Sequence, residues 1–196
     1  MNMNMNMKLK QLFFLAIVLP ALTILVSAQG KVKIDPEQRY LLLSTVKTST
    51  MQKELDEAAA QGFRIIASSS SCGQSEMVLF LERVAEPPNT FQYRLLATTK
   101  TSTMQKELNG AASEGFRLLP RTTMAKEGML SNEIVLVLER APRSVKRYEY
   151  KLLATSLTST LQKEVSAAEG SGFTLIGLVS RGENMVIMEK ETAANQ

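Results

Sequence analysis

Polar and apolar residues alternate over several short stretches of the chain, and helical spacing follows each of them. Tyr148, Tyr150 and Leu152 alternate with Glu149 and Lys151, which is the period-two pattern of a strand with one polar face. A similar stretch begins at each of two earlier tyrosines, Tyr40 and Tyr93. The pattern therefore predicts three such strands, each leading into a helix.

A recurring polar motif marks the predicted helix starts. Ser49 and Gln52 have the S-x-x-Q spacing of a capping box, in which the serine caps the helix and the glutamine reaches back to its first amide. Met51, Leu55 and Ala58 then fall on a single helical face. The same spacing predicts two further helices, which start at Ser102 with Gln105 and at Ser159 with Gln162.

These motifs belong to a longer segment that occurs three times. KTSTMQKEL is present at residues 47–55 and identically at 100–108, and it returns as LTSTLQKEV at 157–165. Each copy is preceded by a tyrosine-led strand, and each continues to a Gly-Phe pair and a closing apolar run at 77–83, 134–140 or 185–190. The predicted fold class is therefore α+β, with three tandem βαββ repeats. In each repeat we expect a three-stranded, mostly antiparallel sheet with one helix on one face.

The Gly-Phe pairs and the polar, proline-containing linkers predict the boundaries. Gly62, Gly115 and Gly172 suit the left-handed residue that ends a helix, so we expect a positive φ at each. The predicted organisation is a signal peptide at 1–28, a lead at 29–37, repeats at 38–83, 91–140 and 148–190, linkers at 84–90 and 141–147, and a tail at 191–196.

The predicted repeats are too small to hold a sufficient core alone. Leu41, Leu43, Leu96 and Leu153 are assigned to strand faces that point away from the helix, where a neighbouring repeat would cover them. We therefore expect the repeats to pack together, around a pseudo-threefold axis or in a layered arrangement. Three independent domains on linkers of about seven residues are the alternative.

The first 28 residues predict export. Lys8 and Lys10 precede an apolar run at 12–26, and Val26-Ser27-Ala28 supplies small residues for cleavage before Gln29. The run is shorter than the roughly 20 residues that span a bilayer. A retained membrane anchor is the alternative. After cleavage we expect no membrane span and a periplasmic or extracellular location.

Composition excludes many catalytic sites. The 196 residues contain no histidine and a single cysteine, so Ser-His-Asp, Cys-His and HExxH sites and internal disulfides are impossible. We therefore predict no catalytic residue, no metal site and no cofactor. Cys72 is predicted to lie in an exposed turn, as a non-functional thiol or in an intermolecular bond. The charge, 23 basic against 19 acidic residues, contains no basic block and does not favour nucleic-acid binding.

Two recurring features are candidates for chemistry. The helix starts combine free amides, the helix dipole and lysines, which could bind phosphate, sulfate or an acidic polymer, although simple helix capping explains the same spacing. The candidate anion-binding residues are Lys47, Ser49, Thr50, Lys100, Ser102, Thr103, Ser159 and Thr160. Glutamates also recur, and they could gather around a cation or substrate or could be solvated charges. They are Glu54, Glu107 and Glu164 in the helices and Glu82, Glu139 and Glu189 at strand ends.

The third copy resembles a known family. YEYKLL at 148–153, a capped helix and then Gly172-Phe173-Thr174-Leu175 are similar to the small bacterial βαββ domains of unknown function numbered 4177. Those domains typically have Tyr-x-Tyr-Lys and then Gly-Trp-Glu-Leu, whereas this chain has phenylalanine for the tryptophan. The resemblance implies the βαββ fold and no activity.

These observations favour an exported, non-enzymatic repeat protein that acts as a binding or structural module in the cell envelope or outside the cell. Its expected partner is a protein or an envelope polymer. The alternatives are a small-ligand or anion binder that uses helix N-termini, and a glutamate-dependent hydrolase or lyase acting on envelope or polysaccharide substrates.

Overall fold

A computed structural model describes residues 34–35, 37–70, 75–127, 132–142 and 146–192. The predicted signal peptide at 1–28 and the predicted exposed thiol of Cys72 lie outside these residues. The described part of the chain contains three α-helices and ten strands, and the strands form three antiparallel sheets. The fold is therefore mixed α and β, as predicted. None of the described helices has the length and apolar character needed to span a bilayer.

Each sheet is formed by one continuous segment, which we call a unit. The first unit contains β1 (Tyr40–Thr45), α1 (Thr48–Ala59), β2 (Phe63–Ser70) and β3 (Met77–Arg83). The third contains β8 (Arg147–Thr155), α3 (Thr158–Gly170), β9 (Thr174–Ser180) and β10 (Asn184–Thr192). In both sheets the last strand lies in the centre, so the orders are β1-β3-β2 and β8-β10-β9. The strand that opens each of these units is consequently an edge strand.

The second unit departs from the predicted three strands. It contains β4 (Gln92–Thr98), α2 (Thr101–Ser113), β5 (Arg117–Leu118), β6 (Met124–Lys126) and β7 (Glu133–Arg140). The central strand β7 pairs with β4, β5 and β6, so this sheet has four strands. A 3₁₀ turn at Pro120–Thr122 separates β5 from β6. Pro120 has no amide hydrogen to donate to a strand ladder, which accounts for the break.

The predicted capping boxes are wrong. The N-cap residues are Lys47, Lys100 and Leu157, and none of them makes a side-chain capping hydrogen bond. Ser49 therefore lies inside the first turn of α1, where it is exposed. A threonine at the end of the preceding strand binds the backbone amide of the N-cap residue: Thr45 Oγ1 accepts a hydrogen bond from the Lys47 amide over 3.3 Å. Thr98 and Thr155 make the same bond to Lys100 and Leu157.

The predicted helix ends are confirmed. Gly62, Gly115 and Gly172 have φ values of +81°, +91° and +86°. Because a side chain strains this left-handed conformation, glycine is the residue that lets the chain leave each helix and enter the next strand.

The assignment of the strand leucines to the faces away from the helices is wrong. Leu41 and Leu43 are buried in one core with Met51 and Leu55 of α1, whereas the alternate residues of β1 are exposed. Leu96 packs with the residues of α2, and Leu153 packs with those of α3. The faces that point away from the helices are the ones that carry the tyrosines.

Each of the first two helices contacts two sheets. The core around Met51 and Leu55 of α1 includes Leu43 from its own sheet, together with Tyr93 and Val137 from the second sheet. The core around α2 likewise takes Tyr150, Leu152, Met185 and Ile187 from the third sheet. The tyrosine face of the second sheet therefore covers α1, and that of the third sheet covers α2.

Candidate interaction surface

A buried tyrosine lies at the centre of each contact between units. The hydroxyl of Tyr93 accepts a hydrogen bond from the Ile65 amide of the first unit over 3.2 Å and donates one to Glu139 Oε2 over 3.1 Å. Tyr150 repeats this arrangement, with 2.9 Å to the Leu118 amide and 2.8 Å to Glu189 Oε2. Each tyrosine therefore joins its own sheet to the second strand of the preceding unit.

Arginine–glutamate ion pairs accompany the tyrosines. Arg64 of the first unit binds both carboxylate oxygens of Glu139 at 2.9 and 2.8 Å, and the Glu139 side chain is only 7% exposed. Arg117 and Glu189 form the same bidentate pair at 3.1 and 2.7 Å. Bidentate geometry fixes direction as well as distance, so these pairs set the register between neighbouring units.

Burial and charge both act on the two tyrosines. Desolvation raises the pKa of Tyr93 above its ordinary value, and the adjacent Glu139 carboxylate raises that pKa further. Desolvation also raises the pKa of Tyr150, and Glu189 acts in the same direction, while the hydrogen bond from the Leu118 amide acts against it. Both hydroxyls therefore remain protonated and available as donors at neutral pH.

The glutamines of the repeated motif bind the next sheet instead of capping their own helices. Gln52 Nε2 donates to the carbonyl of Tyr93 over 3.1 Å, and its Oε1 accepts from the Leu95 amide over 2.7 Å. Gln105 makes both bonds to Tyr150 and Leu152, each over 2.7 Å. Because β4 and β8 are edge strands, the glutamine side chains satisfy backbone groups that have no neighbouring strand to bind.

Cations complete the two contacts. Lys126 Nζ donates to the carbonyl of Val46 over 3.1 Å. Arg181 donates to the carbonyl of Thr99 and, over 2.8 Å, to Thr101 Oγ1. Val46 and Thr99 both directly precede an N-cap residue, so each cation joins a later unit to the start of an earlier helix.

The outer face of the first sheet has no such cover among the described residues. Tyr40, Leu42 and Phe80 are 45%, 50% and 43% exposed, although Tyr40 corresponds to the buried Tyr93. We call Tyr40, Leu42, Val78 and Phe80 the first-sheet face. Its glutamate, Glu82, pairs within the unit with Arg39 at 3.0 and 2.8 Å. A contiguous exposed apolar surface of this kind is typical of an interaction site.

The opposite end of the described chain is also uncovered. Leu175 and Leu178 of β9 are 51% and 62% exposed, whereas Ile65, which corresponds to Leu175, is 1% exposed beneath Tyr93. Gln162 of α3 is exposed, and its amide contacts Ser166 of the same helix at 3.4 Å. We call Gln162, Leu175 and Leu178 the third-unit end.

The structure places the predicted anion-binding residues at the starts of three separate helices. Lys47, Ser49, Lys100, Ser102 and Ser159 are exposed there. Thr50, Thr103 and Thr160 lie one position further on and are half-buried. Nothing in the described residues tests anion binding, which stays a prediction.

The recurring glutamates do not gather into a common site. Glu139 and Glu189 are engaged in the ion pairs between units, and Glu82 pairs with Arg39. Among the described residues, no group of three or more acidic, cysteine or histidine side chains could hold a metal ion. The reading of the strand-end glutamates as solvated charges is wrong for Glu139 and Glu189, because both are buried.

A cleft of about 480 Å³ opens beside the ion pairs, between Arg64, Arg117, Lys146 and Tyr148. Its three cations already face Glu139, Glu189 and Glu191 at 2.7 to 2.9 Å. One glutamate, Glu139, lines it, and two opposed carboxylates are the arrangement that glutamate-dependent glycoside hydrolysis needs. The cleft therefore does not favour the hydrolase alternative.

No protein-family model matches the chain, and comparisons with curated proteins and with solved structures also found no match. The resemblance to the βαββ domain family accordingly stays a prediction.

Proposed function

We propose that the protein is an exported, non-enzymatic repeat protein that acts as a binding or structural module in the cell envelope or outside the cell. In this proposal the three units are tandem βαββ repeats related to the family of unknown function, and they stack in layers of sheet and helix. The first-sheet face is the binding surface.

One observation carries this proposal. The tyrosine faces of the second and third sheets are covered by α1 and α2, whereas the equivalent first-sheet face leaves Tyr40, Leu42 and Phe80 about half exposed. Apolar area of this kind contributes roughly 25 cal/mol for each Å² that a partner removes from water. A partner that presents a helix or another apolar surface would therefore bind there.

The buried glutamates that could take part in acid–base chemistry support a binding role over catalysis. Glu139 and Glu189 accept hydrogen bonds from arginine and tyrosine, so they are committed to holding the units together. A general acid or base needs a proton that it can exchange with a substrate.

Site-specific photo-cross-linking in the producing cell tests the proposal. A photoactivatable phenylalanine analogue at position 42 should give cross-linked products in the envelope or medium fraction. The matched control is the same analogue at Lys106, which is exposed in α2 and belongs to neither uncovered surface. Equal yields from the two positions would show that the first-sheet face is not a binding surface.

A further inference from the structure

The two uncovered surfaces are opposite halves of the contact that already occurs twice within the chain. In each internal contact, one unit contributes a tyrosine face and the preceding unit contributes a helix with its glutamine and the apolar start of its second strand. The first unit keeps an unused tyrosine face. The third unit keeps an unused glutamine and strand start.

The first-sheet face has the groups that the later tyrosine faces use. Tyr40 lies opposite Glu82 in the β1–β3 register, as Tyr93 lies opposite Glu139 in β4–β7. β1 is an edge strand, as β4 is, so its Tyr40 carbonyl and Leu42 amide occupy the positions that Gln52 binds on β4.

The third-unit end has the complementary groups. Gln162 occupies the motif position of Gln52 and Gln105, yet it faces solvent. Leu175 occupies the position of Ile65 and Leu118, whose amides bind a tyrosine hydroxyl of the next unit. Leu175 is about half exposed, and no other unit of the described residues covers it.

We propose that a second copy of this chain binds the first-sheet face, with its third-unit end, in a head-to-tail contact that repeats the internal ones. Gln162 of one copy then pairs with the Tyr40 carbonyl and the Leu42 amide of the other, and the Tyr40 hydroxyl reaches the Leu175 amide. This inference rests on the proposed function of the first-sheet face and names its partner.

A head-to-tail contact accounts for both surfaces at once. Two first-sheet faces packed against each other would cover Leu42 and Phe80 but would leave Leu175 and Leu178 exposed. A heterologous contact covers both sets, and its repetition generates a ring or an open chain of copies.

The contact between copies is weaker than the contacts within the chain. Thr174 occupies the position of Arg64 and Arg117, so the arginine–glutamate pair of the internal contacts has no equivalent at this junction. Glu82 is nevertheless not left unpaired, because Arg39 of its own unit binds it. Gln38 already donates a hydrogen bond to the Tyr40 carbonyl, and Gln162 must displace or share that bond. We therefore expect reversible, concentration-dependent association.

Complementation between two variants tests the proposal. Leu42→Glu blocks the first-sheet face, and Leu175→Glu blocks the third-unit end; both leucines are about half exposed, so neither charge enters a closed core. Each protein is expressed from the full chain, its intact mass and thermal melt are recorded, and its average mass is followed by sedimentation equilibrium. Leu157→Lys, which restores the residue type of the other two copies, is the control for loss of an exposed leucine.

The wild type and Leu157→Lys should rise from one copy toward two and beyond as concentration increases. Each glutamate variant alone should stay at one copy, and their equimolar mixture should reach two copies and no more. A wild type that is monomeric at every concentration would overturn the proposal, as would a Leu175→Glu variant that still self-associates through a contact between first-sheet faces. If the wild type is monomeric while position 42 still cross-links to a different macromolecule, the proposed function stands and the second copy is wrong.

Discussion

Replacing Gln105 with leucine tests whether the motif glutamines hold neighbouring units together. Gln105 donates to the Tyr150 carbonyl and accepts from the Leu152 amide, each over 2.7 Å. Leucine has a similar size and helix propensity but can make neither bond. The substitution therefore removes the two hydrogen bonds with little change to the helix itself.

The expected loss follows from the groups that remain. Asn109 also donates to the Tyr150 carbonyl, over 3.1 Å, so that oxygen keeps a partner, whereas the Leu152 amide loses the oxygen that it binds. A hydrogen bond contributes about 1 kcal/mol net, and a buried group left without a partner costs about 1 to 3 kcal/mol. We expect Gln105→Leu to lower the free energy of unfolding by about 2 kcal/mol.

Gln162→Leu is the matched control, because it changes the same residue of the same motif on a helix that no next sheet covers within the described residues. Its free energy of unfolding should change by less than about 0.5 kcal/mol, as for an ordinary surface substitution. Urea denaturation followed by circular dichroism measures both variants, at a protein concentration where the wild type is monomeric. Equal losses for Gln105→Leu and Gln162→Leu would refute the role of the amide between units.

Further predictions concern the helix ends, the buried tyrosines and the dependence of one unit on its neighbours. Gly110→Ala, in the last turn of α2 with open space around the new carbon, should raise the free energy of unfolding by about 0.5 to 1 kcal/mol. Gly115→Ala, at φ +91°, should lower it by about 1 to 2 kcal/mol in the same urea assay, and a loss from both would contradict the assigned conformations. Because the pKa values of Tyr93 and Tyr150 are raised in the folded state, their contribution is complete below about pH 10 and is lost as the pH rises further. The double substitution to phenylalanine should therefore make the alkaline loss of stability shallower, and an unchanged pH profile would contradict the shift. Residues 93–140 expressed alone should be poorly folded or self-associating, and a sharply melting monomer would show that the unit needs no neighbour.

The features that were correctly predicted from sequence depend on local rules. The helix-ending glycines are the clearest case, because a positive φ is a property of one residue and glycine is the residue that adopts it without strain. The order of strand, helix and strand in each unit also follows from short-range periodicity. Pro120 interrupts the second strand of the second unit, which is also a local effect. The prediction of three similar repeats did not take it into account.

The role of the glutamines could not be predicted in this way. Ser49 and Gln52 have the spacing of a capping box, but the helix starts one residue before the serine. The amide of Gln52 instead binds a strand that begins 40 residues later, at Gln92. Spacing within one turn of helix does not distinguish a side chain that turns back from one that binds another sheet.

The strand face that packs against the helix was predicted wrongly for a similar reason. Alternation divides β1 into two faces, one with Leu41 and Leu43 and the other with Tyr40 and Leu42, and both are apolar. Which face the helix covers depends on tertiary packing. The sequence does contain one signal for the contacts between units. Arginine follows the Gly-Phe pair in the first two copies, and Thr174 follows it in the third.

In the head-to-tail contact that we propose, this difference between Arg117 and Thr174 makes the contact between chains weaker than the contacts within one chain. The Glu189 side chain is buried, whereas that of Arg117 is 55% exposed. Loss of Arg117 would leave the buried carboxylate without this partner, so the pair favours a single register of the second and third units. Thr174 is exposed and lacks the guanidinium group that an equivalent ion pair needs. The proposed contact between copies keeps the apolar residues and the glutamine side chain of the internal contacts but lacks this ion pair. Arginine therefore lies at positions 64 and 117, where another unit follows, and threonine lies at position 174, where none is present among the described residues.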